Sequence, residues 1–186
     1  LYLFDEDKME ALEVMMAPQM LPLYAELMGV DVYGGADLTQ IISGLPAGTM
    51  GTDVLNVALM KVGAPYVLGA KGPARFDCSG LVYWSINEID PELGRNLYTS
   101  AGYQYKYCKD NGYLVGESEA GPGDLIFWQK PGCSCGRKYN EIHHVGFYLG
   151  DGMILDASSS NGRVIIRKLF SGSSYRVYAY ARPYSY

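Results

Sequence analysis

The sequence has little histidine, little tryptophan and no long apolar run. Only two His and two Trp occur among its 186 residues. Lys and Arg number 15 against 20 Asp and Glu, which gives a formal net charge of −5. A protein that binds nucleic acid by displacing counterions needs a basic excess, so this balance argues against that class. No stretch approaches about 18 continuous apolar residues, so the sequence predicts no membrane span.

Composition also excludes disorder as the main state of the chain. Apolar residues make up 48% of it and charged residues 19%, which leaves enough apolar side chain to bury a core. The length suits one domain, or one domain with a small helical annex.

Residues 1–50 differ from the rest in charge and in methionine content. They hold one Lys and eight acidic residues, a net charge of −7, whereas residues 51–186 carry +2. Six of the eight Met lie in this first segment. The shift predicts a boundary in the Gly/Pro-rich stretch 44–51, between an acidic, Met-rich helical annex or linker and a folded domain over 51–186. The annex can pack on the domain, or it can cover a site or bind a partner, since Met surfaces make adaptable contacts.

The first residues of the chain bear on its location. Residues 1–10 are acidic and lack the basic region of a signal peptide. Because the first residue is Leu1 rather than Met, we expect a fragment or a processed product, which allows for the removal of an upstream signal or anchor.

The periodicity after residue 51 predicts helices first and strands afterwards. Thr52 or Asp53 can cap a first helix, Asp77 can cap a second, and a third is expected from about Thr99 to Asp110. Short apolar runs separated by Gly-containing turns then predict strands. This order is typical of an α+β fold with helices packed on a mainly antiparallel sheet. The five predicted strands are 125–129, 145–149, 153–157, 164–168 and 177–181.

Cys78 is the first residue after a predicted helix cap. Asp77 supplies the cap, and small residues and an apolar helical face follow the Cys. Its sulfur is therefore expected at a helix N-terminus, where unpaired N–H groups and the positive dipole end favour a thiolate. The dipole contributes only about 0.3–1 kcal/mol, whereas lowering a thiol pKa by about two units takes about 2.7 kcal/mol. A nucleophilic Cys78 therefore requires a neighbouring imidazolium.

Strand alternation selects His144 rather than His143 as that imidazole. His143 shares the parity of the apolar side chains in 145–149, and His144 lies on the opposite face. If residues 150–152 form a three-residue hairpin loop, the apolar sets of both strands share one face and His144 becomes a diagonal neighbour of Asp156. Cys, His and Asp supply the nucleophile, the base and the orienting group of acyl transfer. The ordinary alternative is an inert core Cys and a surface His–Asp pair.

The other cysteines give a weaker signal. Cys133 and Cys135, with His143 eight residues on and Cys108 upstream, are candidate zinc ligands, but this spacing matches common zinc sites poorly. We therefore expect no metal, and we interpret residues 130–141 as a thiol-bearing surface loop. Cys133 and Cys135 are too close in the chain to pair easily with each other.

Four segments of the chain form a recognisable series: VGAPYVLG at 62–69, FDCSGLV at 76–82, GDLIF at 123–127 and HVGFYLG at 144–150. Taken in this order, they resemble the NlpC family (NlpC/p-sixty), the papain-like peptidases of bacterial cell walls. Four motifs in the family's order are a specific signal, whereas any one alone would be weak. The resemblance runs from about residue 52 to residue 183 and implies a papain-like α+β domain after the annex.

The resemblance implies a catalytic role for three residues. Cys78 corresponds to the nucleophile, His144 to the base and Asp156 to the third polar residue. The family often has His at the third place, so Asp156 is a departure. A carboxylate holds the imidazole and stabilises its cation at least as well, so we expect activity to survive.

Three further residues correspond to substrate-binding positions. Tyr66 matches the family's Tyr beside the active site, and Asp77 and Ser79 match positions that hold the free amine of a stem peptide. A carboxylate next to the nucleophile suits such a cationic end. Family members typically cut the bond between γ-D-glutamyl and the diamino acid of peptidoglycan, without metal or cofactor.

The expected function is that of an extracytoplasmic cysteine endopeptidase, in the cell wall or secreted. It would hydrolyse peptidoglycan stem peptides through a Cys-His-Asp triad and a thioester acyl-enzyme. The expected binding partner is then the stem peptide. Nucleic acid is not expected as a partner, and no membrane span is expected in this chain. The alternatives are an amidase or acyltransferase with the same triad, a non-catalytic cell-wall-binding module and, third, a zinc-dependent protein.

Overall fold

The computed structural model describes residues 48–133 and 139–184 as an α+β arrangement of helices and one sheet. Nearly all of the predicted annex lies outside these residues. The helices are α1 (Met50–Leu59), α2 (Cys78–Ile89), α3 (Pro91–Asn96) and α4 (Ala101–Asp110). The strands are β1 (Leu114–Val115), β2 (Leu125–Gln129), β3 (Ile142–Gly150), β4 (Met153–Ser158), β5 (Arg163–Lys168) and β6 (Arg176–Ala181).

The six strands form one sheet in the order β1-β6-β2-β3-β4-β5, and each neighbouring pair is antiparallel. This confirms the predicted fold class. The five predicted strands all form, β2 with the predicted bounds, whereas β1 was not predicted.

Two predictions about the helices were wrong or incomplete. The cap of α1 is Thr49, whose Oγ1 accepts the N–H of Thr52 at 3.2 Å, so neither Thr52 nor Asp53 caps this helix. Helix α3 was not predicted, although Asp90 followed by Pro91 is a helix start signal. The Asp90 carboxylate accepts the N–H groups of Glu92 and Leu93 at 2.9 and 3.0 Å.

The sheet is buried on both faces, but unequally. The helix-covered face, represented by Phe127, Phe147 and Leu155, packs against the apolar sides of the helices in one large core. The opposite face carries a smaller cluster of Ile126, Trp128, Ile154 and Tyr180. All five residues of β2 are therefore buried, as expected of a central strand.

The start of β2 is held by a paired charge. Arg182 donates from Nε to Asp124 Oδ1 at 2.7 Å and from Nη2 to Asp124 Oδ2 at 2.8 Å. The same carboxylate accepts the N–H of Gly121 at 2.8 Å. This bidentate contact joins the beginning of β2 to the end of β6, and it gives the buried Asp of the GDLIF motif an architectural role.

The segment between α1 and α2 runs past the open edge of β5. Gly63 N–H donates to Val164 O at 2.8 Å, Val164 N–H donates to Ala64 O at 2.9 Å, and Tyr66 N–H donates to Gly162 O at 2.8 Å. These bonds cover an edge that would otherwise expose unpaired backbone groups. Among the described residues, no helix has the length and apolar character needed to cross a membrane.

Candidate active site

Asp77 caps helix α2, as the sequence predicts, and fixes Cys78 as its first residue. Asp77 Oδ1 accepts the N–H of Gly80 at 2.6 Å and the hydroxyl of Ser79 at 3.0 Å. Its Oδ2 accepts the N–H of Gly69 at 2.8 Å, which ties the helix start to the preceding loop. The sulfur therefore lies where the helix leaves its first N–H groups without intrahelical partners.

Gly80 is required for this close packing of helix and loop. A Cβ at Gly80 would lie 2.0 Å from Ala70 O and 3.0 Å from Asp77 Oδ1. The same Ala70 carbonyl accepts the N–H of Asp77 at 2.9 Å. Any larger residue at position 80 would displace the loop or the first turn of the helix, and with it the Cys78 sulfur.

On the other side of the site, His144 and Asp156 contact each other across β3 and β4. His144 Nε2 and Asp156 Oδ2 are 2.6 Å apart. The strand pairing places Phe147 opposite Leu155, so the next pair inward is Gly146 and Asp156. The predicted neighbourhood of His144 and Asp156 is therefore present.

The turn that produces this register differs from the predicted one. Gly150 pairs with Met153, so the loop contains only Asp151 and Gly152, both with positive φ. A register shift between Tyr148 and Gly150 inserts one extra residue into β3. The two-residue turn plus this bulge gives the same pairing as a three-residue loop. The extra residue lies in the bulge of β3 rather than in the loop, so Tyr148 pairs with Ile154 in both cases and the same side chains share a face.

Gly146 allows the two strands to bring Asp156 under the imidazole. A Cβ at Gly146 would lie 2.9 Å from Asp156 Cβ and 2.9 Å from Leu155 O. The presence of Gly146 in the HVGFYLG motif thus has a steric explanation, since any side chain at this position would push the Asp156 carboxylate away.

The His144 ring is held on both sides and carries a proton at neutral pH. Burial lowers the pKa of His144, but hydrogen bonds to Asp156 and to the Cys78 side chain, with the negative charge of both groups, raise it to about 9. Since Nε2 faces Asp156, Nδ1 is the nitrogen left for the sulfur. An imidazolium between a sulfur and a carboxylate stabilises a thiolate.

Asp156 is completely buried and ionised. Burial raises its pKa, but hydrogen bonds and charge from His144 and Arg167 outweigh this and lower the pKa below its usual value. Arg167 donates from Nε to Oδ1 at 2.9 Å and from Nη2 to Oδ2 at 2.6 Å. Asp156 is thus paired with two cations at once.

Aromatic rings surround the imidazole. The ring of Trp128 lies 5.2 Å from that of His144 and stacks on Phe170 at 4.8 Å. Trp128 Nε1 donates to Phe170 O at 2.8 Å, which holds this pair of rings together. A cleft of about 140 Å³ opens beside them, and it is lined by His144, Ser158, Ser159, Ser160, Arg167, Phe170 and Tyr175.

Two tyrosines lie close enough to Cys78 for its charge to affect their pKa values. Burial raises the pKa of Tyr66 to about 12, with further contributions from the nearby charges of Cys78, Asp77 and Tyr175. Burial and the charge of Cys78 also raise the pKa of Tyr175. Both phenols therefore remain protonated near neutral pH and are available as hydrogen-bond donors.

The structure brings Cys78, His144 and Asp156 together, while their catalytic roles stay predictions. Tyr66 lies beside them and is partly exposed. Asp77 and Ser79 are buried in the helix cap, with 6% and 4% of their surface exposed, so their first role is architectural. Their predicted contact with a substrate amine stays a prediction.

Arg167 and Tyr175 were not predicted as site residues. Asp156 pairs with Ile165, so Arg167 lies on the same face of β5, two residues along. Extending the alternation from β4 to β5 identifies Arg167 only once the register of the two strands is known; the signal in the sequence was that Arg167 is the first cation after three apolar residues of that strand. Tyr175 lies in the turn before β6, where no periodicity identifies which residue faces the site.

The remaining cysteines have separate environments. Cys133 is disulfide-bonded, so the expectation of free thiols in its loop is wrong for this residue. Cys108 is a free, buried thiol of α4, and burial raises its pKa to about 12. Within the described ranges, 48–133 and 139–184, no three His, Cys, Asp or Glu side chains cluster as metal ligands.

The family model described as NlpC/P60 matches residues 63–182, a range that contains Cys78, His144 and Asp156. The chain belongs to the NlpC/P60 family. This confirms the resemblance drawn from the four motifs. It also accounts for the α+β fold, because the structural neighbours are domains of the same family.

This NlpC/P60 chain is 36% identical over 103 residues to a Listeria grayi protein named probable endopeptidase p60. That alignment covers 55% of the chain and 17% of the relative. The bifunctional muramidase/DL-endopeptidase CwlT of Bacillus subtilis is 34% identical over 110 residues, or 58% of the chain and 29% of CwlT. The chain thus matches less than a third of the length of either relative.

Solved structures give the same grouping. NlpC2 from Trichomonas vaginalis is 26% identical with a TM-score of 0.58, covering 77% of this chain and 49% of NlpC2. The peptidoglycan hydrolase RipB from Mycobacterium tuberculosis matches 98% of the chain and 87% of its own, with a TM-score of 0.54. At 23% identity, the likeness to RipB concerns the fold alone.

Proposed function

We propose that this chain is a cysteine endopeptidase that hydrolyses peptidoglycan stem peptides outside the cytoplasm, at the bond between γ-D-glutamyl and the diamino acid. The observation that carries the proposal is the His144 ring, which is hydrogen-bonded to Asp156 and lies close enough to Cys78 for the sulfur to raise the pKa of the ring. A sulfur at a helix start, an imidazole and an orienting carboxylate are the three groups that acyl transfer by cysteine requires. The name of CwlT, a DL-endopeptidase, supports the choice of substrate.

Acylation uses the charge separation between sulfur and imidazole. The Cys78 thiolate attacks the γ-glutamyl carbonyl carbon, and the resulting oxyanion is stabilised by first-turn N–H groups of α2, that of Cys78 included. His144 then gives its proton to the leaving nitrogen of the diamino acid. The C–N bond breaks, the diamino acid leaves as an amine, and the γ-glutamyl group remains on the sulfur as a thioester.

Deacylation reverses the role of the imidazole. Neutral His144 takes a proton from water, and the resulting hydroxide attacks the thioester carbonyl. The C–S bond breaks, so the γ-glutamyl group leaves as a carboxylic acid that loses its remaining proton to solvent, and the thiolate and imidazolium return together. Asp156 keeps the ring oriented through Nε2 in both half-reactions.

The proposed contact with the free amine of the stem peptide involves Tyr66, Asp77 and Ser79. A carboxylate oxygen accepts two hydrogen bonds, and Asp77 Oδ2 uses one acceptor position on Gly69 N–H. Tyr66 contributes exposed surface next to it, and Ser79 holds the carboxylate through Oδ1.

Digestion of a synthetic L-Ala-γ-D-Glu-diamino acid peptide with wild type and Cys78→Ala tests the proposal. Wild type is expected to release the dipeptide and a free diamino acid, identified by mass. Cys78→Ala should lose about 10⁴-fold or more in rate while it keeps its melting temperature and its binding to peptidoglycan.

Cys108→Ala is the matched control, because Cys108 is also free but lies in the core. It should retain hydrolysis, and iodoacetamide should label Cys78 and not Cys108. Release of an acyl group from a different bond would favour the amidase or acyltransferase alternative. Equal behaviour of wild type and Cys78→Ala in every assay would favour a binding module.

A further inference from the structure

Asp156 places a buried negative charge next to the imidazole, and the positive charge of Arg167 balances it. The carboxylate has no exposed surface, while both of its oxygens accept from the guanidinium. Burying an ion without a partner is costly, so a charge this deep needs a counter-ion as well as hydrogen bonds. His144 supplies positive charge only while it is protonated, whereas the guanidinium of Arg167 stays charged whether His144 is protonated or neutral.

Arg167 is itself held in place. Its strand β5 pairs with β4 over six residue pairs, which fixes the position of its backbone relative to Asp156. Its guanidinium carbon lies 4.4 Å from the centre of the Phe170 ring, in cation–π contact. Phe170 is in turn stacked on Trp128. The fork of the guanidinium is therefore directed at the carboxylate by several independent contacts.

We propose that Arg167 is a positioning residue that fixes the Asp156 carboxylate and cancels its charge, so that His144 can both hold and release a proton. This inference rests on the proposed function. With the thiolate, the imidazolium, the carboxylate and the guanidinium present, the charges of the four groups sum to zero. Without Arg167, an uncompensated carboxylate would hold the imidazolium proton too strongly for transfer to the leaving amine.

The groups around the imidazole come from several elements. Cys78 approaches from α2, Asp156 from β4 and Arg167 from β5, while β2 contributes the uncharged ring of Trp128. Tyr175, from the turn before β6, lines the same cleft and stays neutral near pH 7. Among the described residues, the charges that shift the pKa of His144 are those of Asp156 and the Cys78 sulfur, and Arg167 acts on His144 through Asp156.

A double-mutant cycle tests the proposal in the full chain, with wild type, Asp156→Asn, Arg167→Met and the double variant. Two quantities are measured: the pKa of His144 by NMR of its ring protons, and kcat/KM on the stem peptide. Only two His occur in the chain, so His143→Gln assigns the signals.

Arg167→Met should raise the pKa of His144 by about one unit and lower kcat/KM about tenfold or more. Asp156→Asn should lower that pKa, because it removes the anion and leaves the cation. The double variant should return the pKa to near the wild-type value and recover most of the kcat/KM lost in Arg167→Met. A merely structural Arg167 would leave the pKa of His144 in place.

Arg182→Met is the matched control. It breaks the other bidentate Arg–Asp pair, which has similar distances but joins β2 to β6. It should lower the melting temperature without moving the pKa of His144. An equal shift of that pKa in Arg167→Met and Arg182→Met would overturn the proposal. A double variant whose kcat/KM is no higher than that of either single variant would also overturn it.

Arg167→Lys keeps the proposal testable if Arg167→Met does not fold. Lys retains the charge but not the fork, so the pKa of His144 should stay near the wild-type value while kcat falls. Unchanged kcat in this variant would overturn the positioning role. The NMR titration needs no substrate, so a wild type that cuts no stem peptide would refute the proposed function and leave the charge test intact.

Discussion

The two faces of the sheet use the same strands for different purposes. On the helix-covered face, Phe127, Phe147 and Leu155 pack in the large hydrophobic core and contribute burial. On the opposite face, Trp128, His144 and Asp156 alternate with them along the same strands and form an aromatic and ionic site. Strand alternation lets one backbone carry both sets, so the stability of one face holds the geometry of the other.

Leu155 and Asp156 in β4 show the contrast in two consecutive residues. Both are fully buried. Burial of Leu155 stabilises the folded state, because apolar area is removed from water. Burial of the Asp156 charge is unfavourable in free energy, and the contacts with His144 and Arg167 offset this. Changes on the two faces should therefore affect different measurements.

The largest expected effect comes from the opposite face. His144→Gln should reduce kcat about 10³–10⁴-fold, because it removes the group that transfers protons in both half-reactions. His143→Gln is the matched control, since His143 stacks on Tyr175 at 5.5 Å, whereas the ring bonded to Asp156 is that of His144. Steady-state kinetics on the stem peptide compare the two. Similar losses in both variants would contradict the assignment by strand parity.

A change on the helix-covered face should act on stability. Leu155→Ala removes a fully buried side chain, so the free energy of unfolding should fall by about 2–5 kcal/mol. Well below the melting temperature, kcat should stay within a few-fold of wild type. Urea unfolding and kinetics at low temperature measure the two quantities. A loss of kcat as large as that of His144→Gln would show that the two faces are not separable.

The pH dependence of stability should also separate the faces. The pKa of His144 is raised from 6.5 to about 9 in the folded protein, so folding favours its protonated form. This contribution is fully present below about pH 6.5 and is lost as the pH rises through about 9; its size is at most about 3 kcal/mol.

Urea unfolding between pH 6 and 9.5 measures this loss. In His144→Gln, the free energy of unfolding should change less with pH over that window. In Leu155→Ala, the free energy of unfolding should be lower than in wild type by an amount that does not depend on pH. An unchanged slope in His144→Gln would mean that other groups cause the dependence.

The smallest expected effect is at Gly146, where β3 lies close to Asp156 and Leu155 of β4. Gly146→Ala places a Cβ against Asp156 and Leu155 O, so it should cost about 1–3 kcal/mol and lower kcat about tenfold by displacing the carboxylate. Gly152→Ala is the comparison, because a Cβ there meets no atom within 4 Å and only its positive φ is strained. Thermal unfolding and kcat of both variants measure the difference. Equal kcat values would argue against steric control of Asp156.

Local chemistry made much of the site predictable. The cap by Asp77 depends on residues within three positions, so the sequence alone predicts that Cys78 begins a helix. The facing of His144 and Asp156 follows from the period of two in neighbouring strands. The prediction survived an incorrect turn, because a bulge before Gly150 compensates for the shorter loop. The requirement to bury the apolar set on one face decided the register.

Contacts that depend on a strand register or a loop path could not be predicted in the same way. Arg167 faces Asp156 only because β5 pairs with β4 in one particular register, and Tyr175 reaches Cys78 from a turn without periodicity. Thr49 rather than Thr52 caps α1, since several neighbouring residues satisfy the same local preference.

The sequence by itself thus determined most of the elements, the sulfur at the start of a helix and the face that His144 occupies, because each depends on short-range sterics and on the alternation of apolar residues. Only the tertiary structure decided how the buried charge is balanced. Asp156 and Arg167 are eleven residues apart in the chain, and their contact exists because the packed sheet brings both oxygens of the carboxylate within reach of one guanidinium.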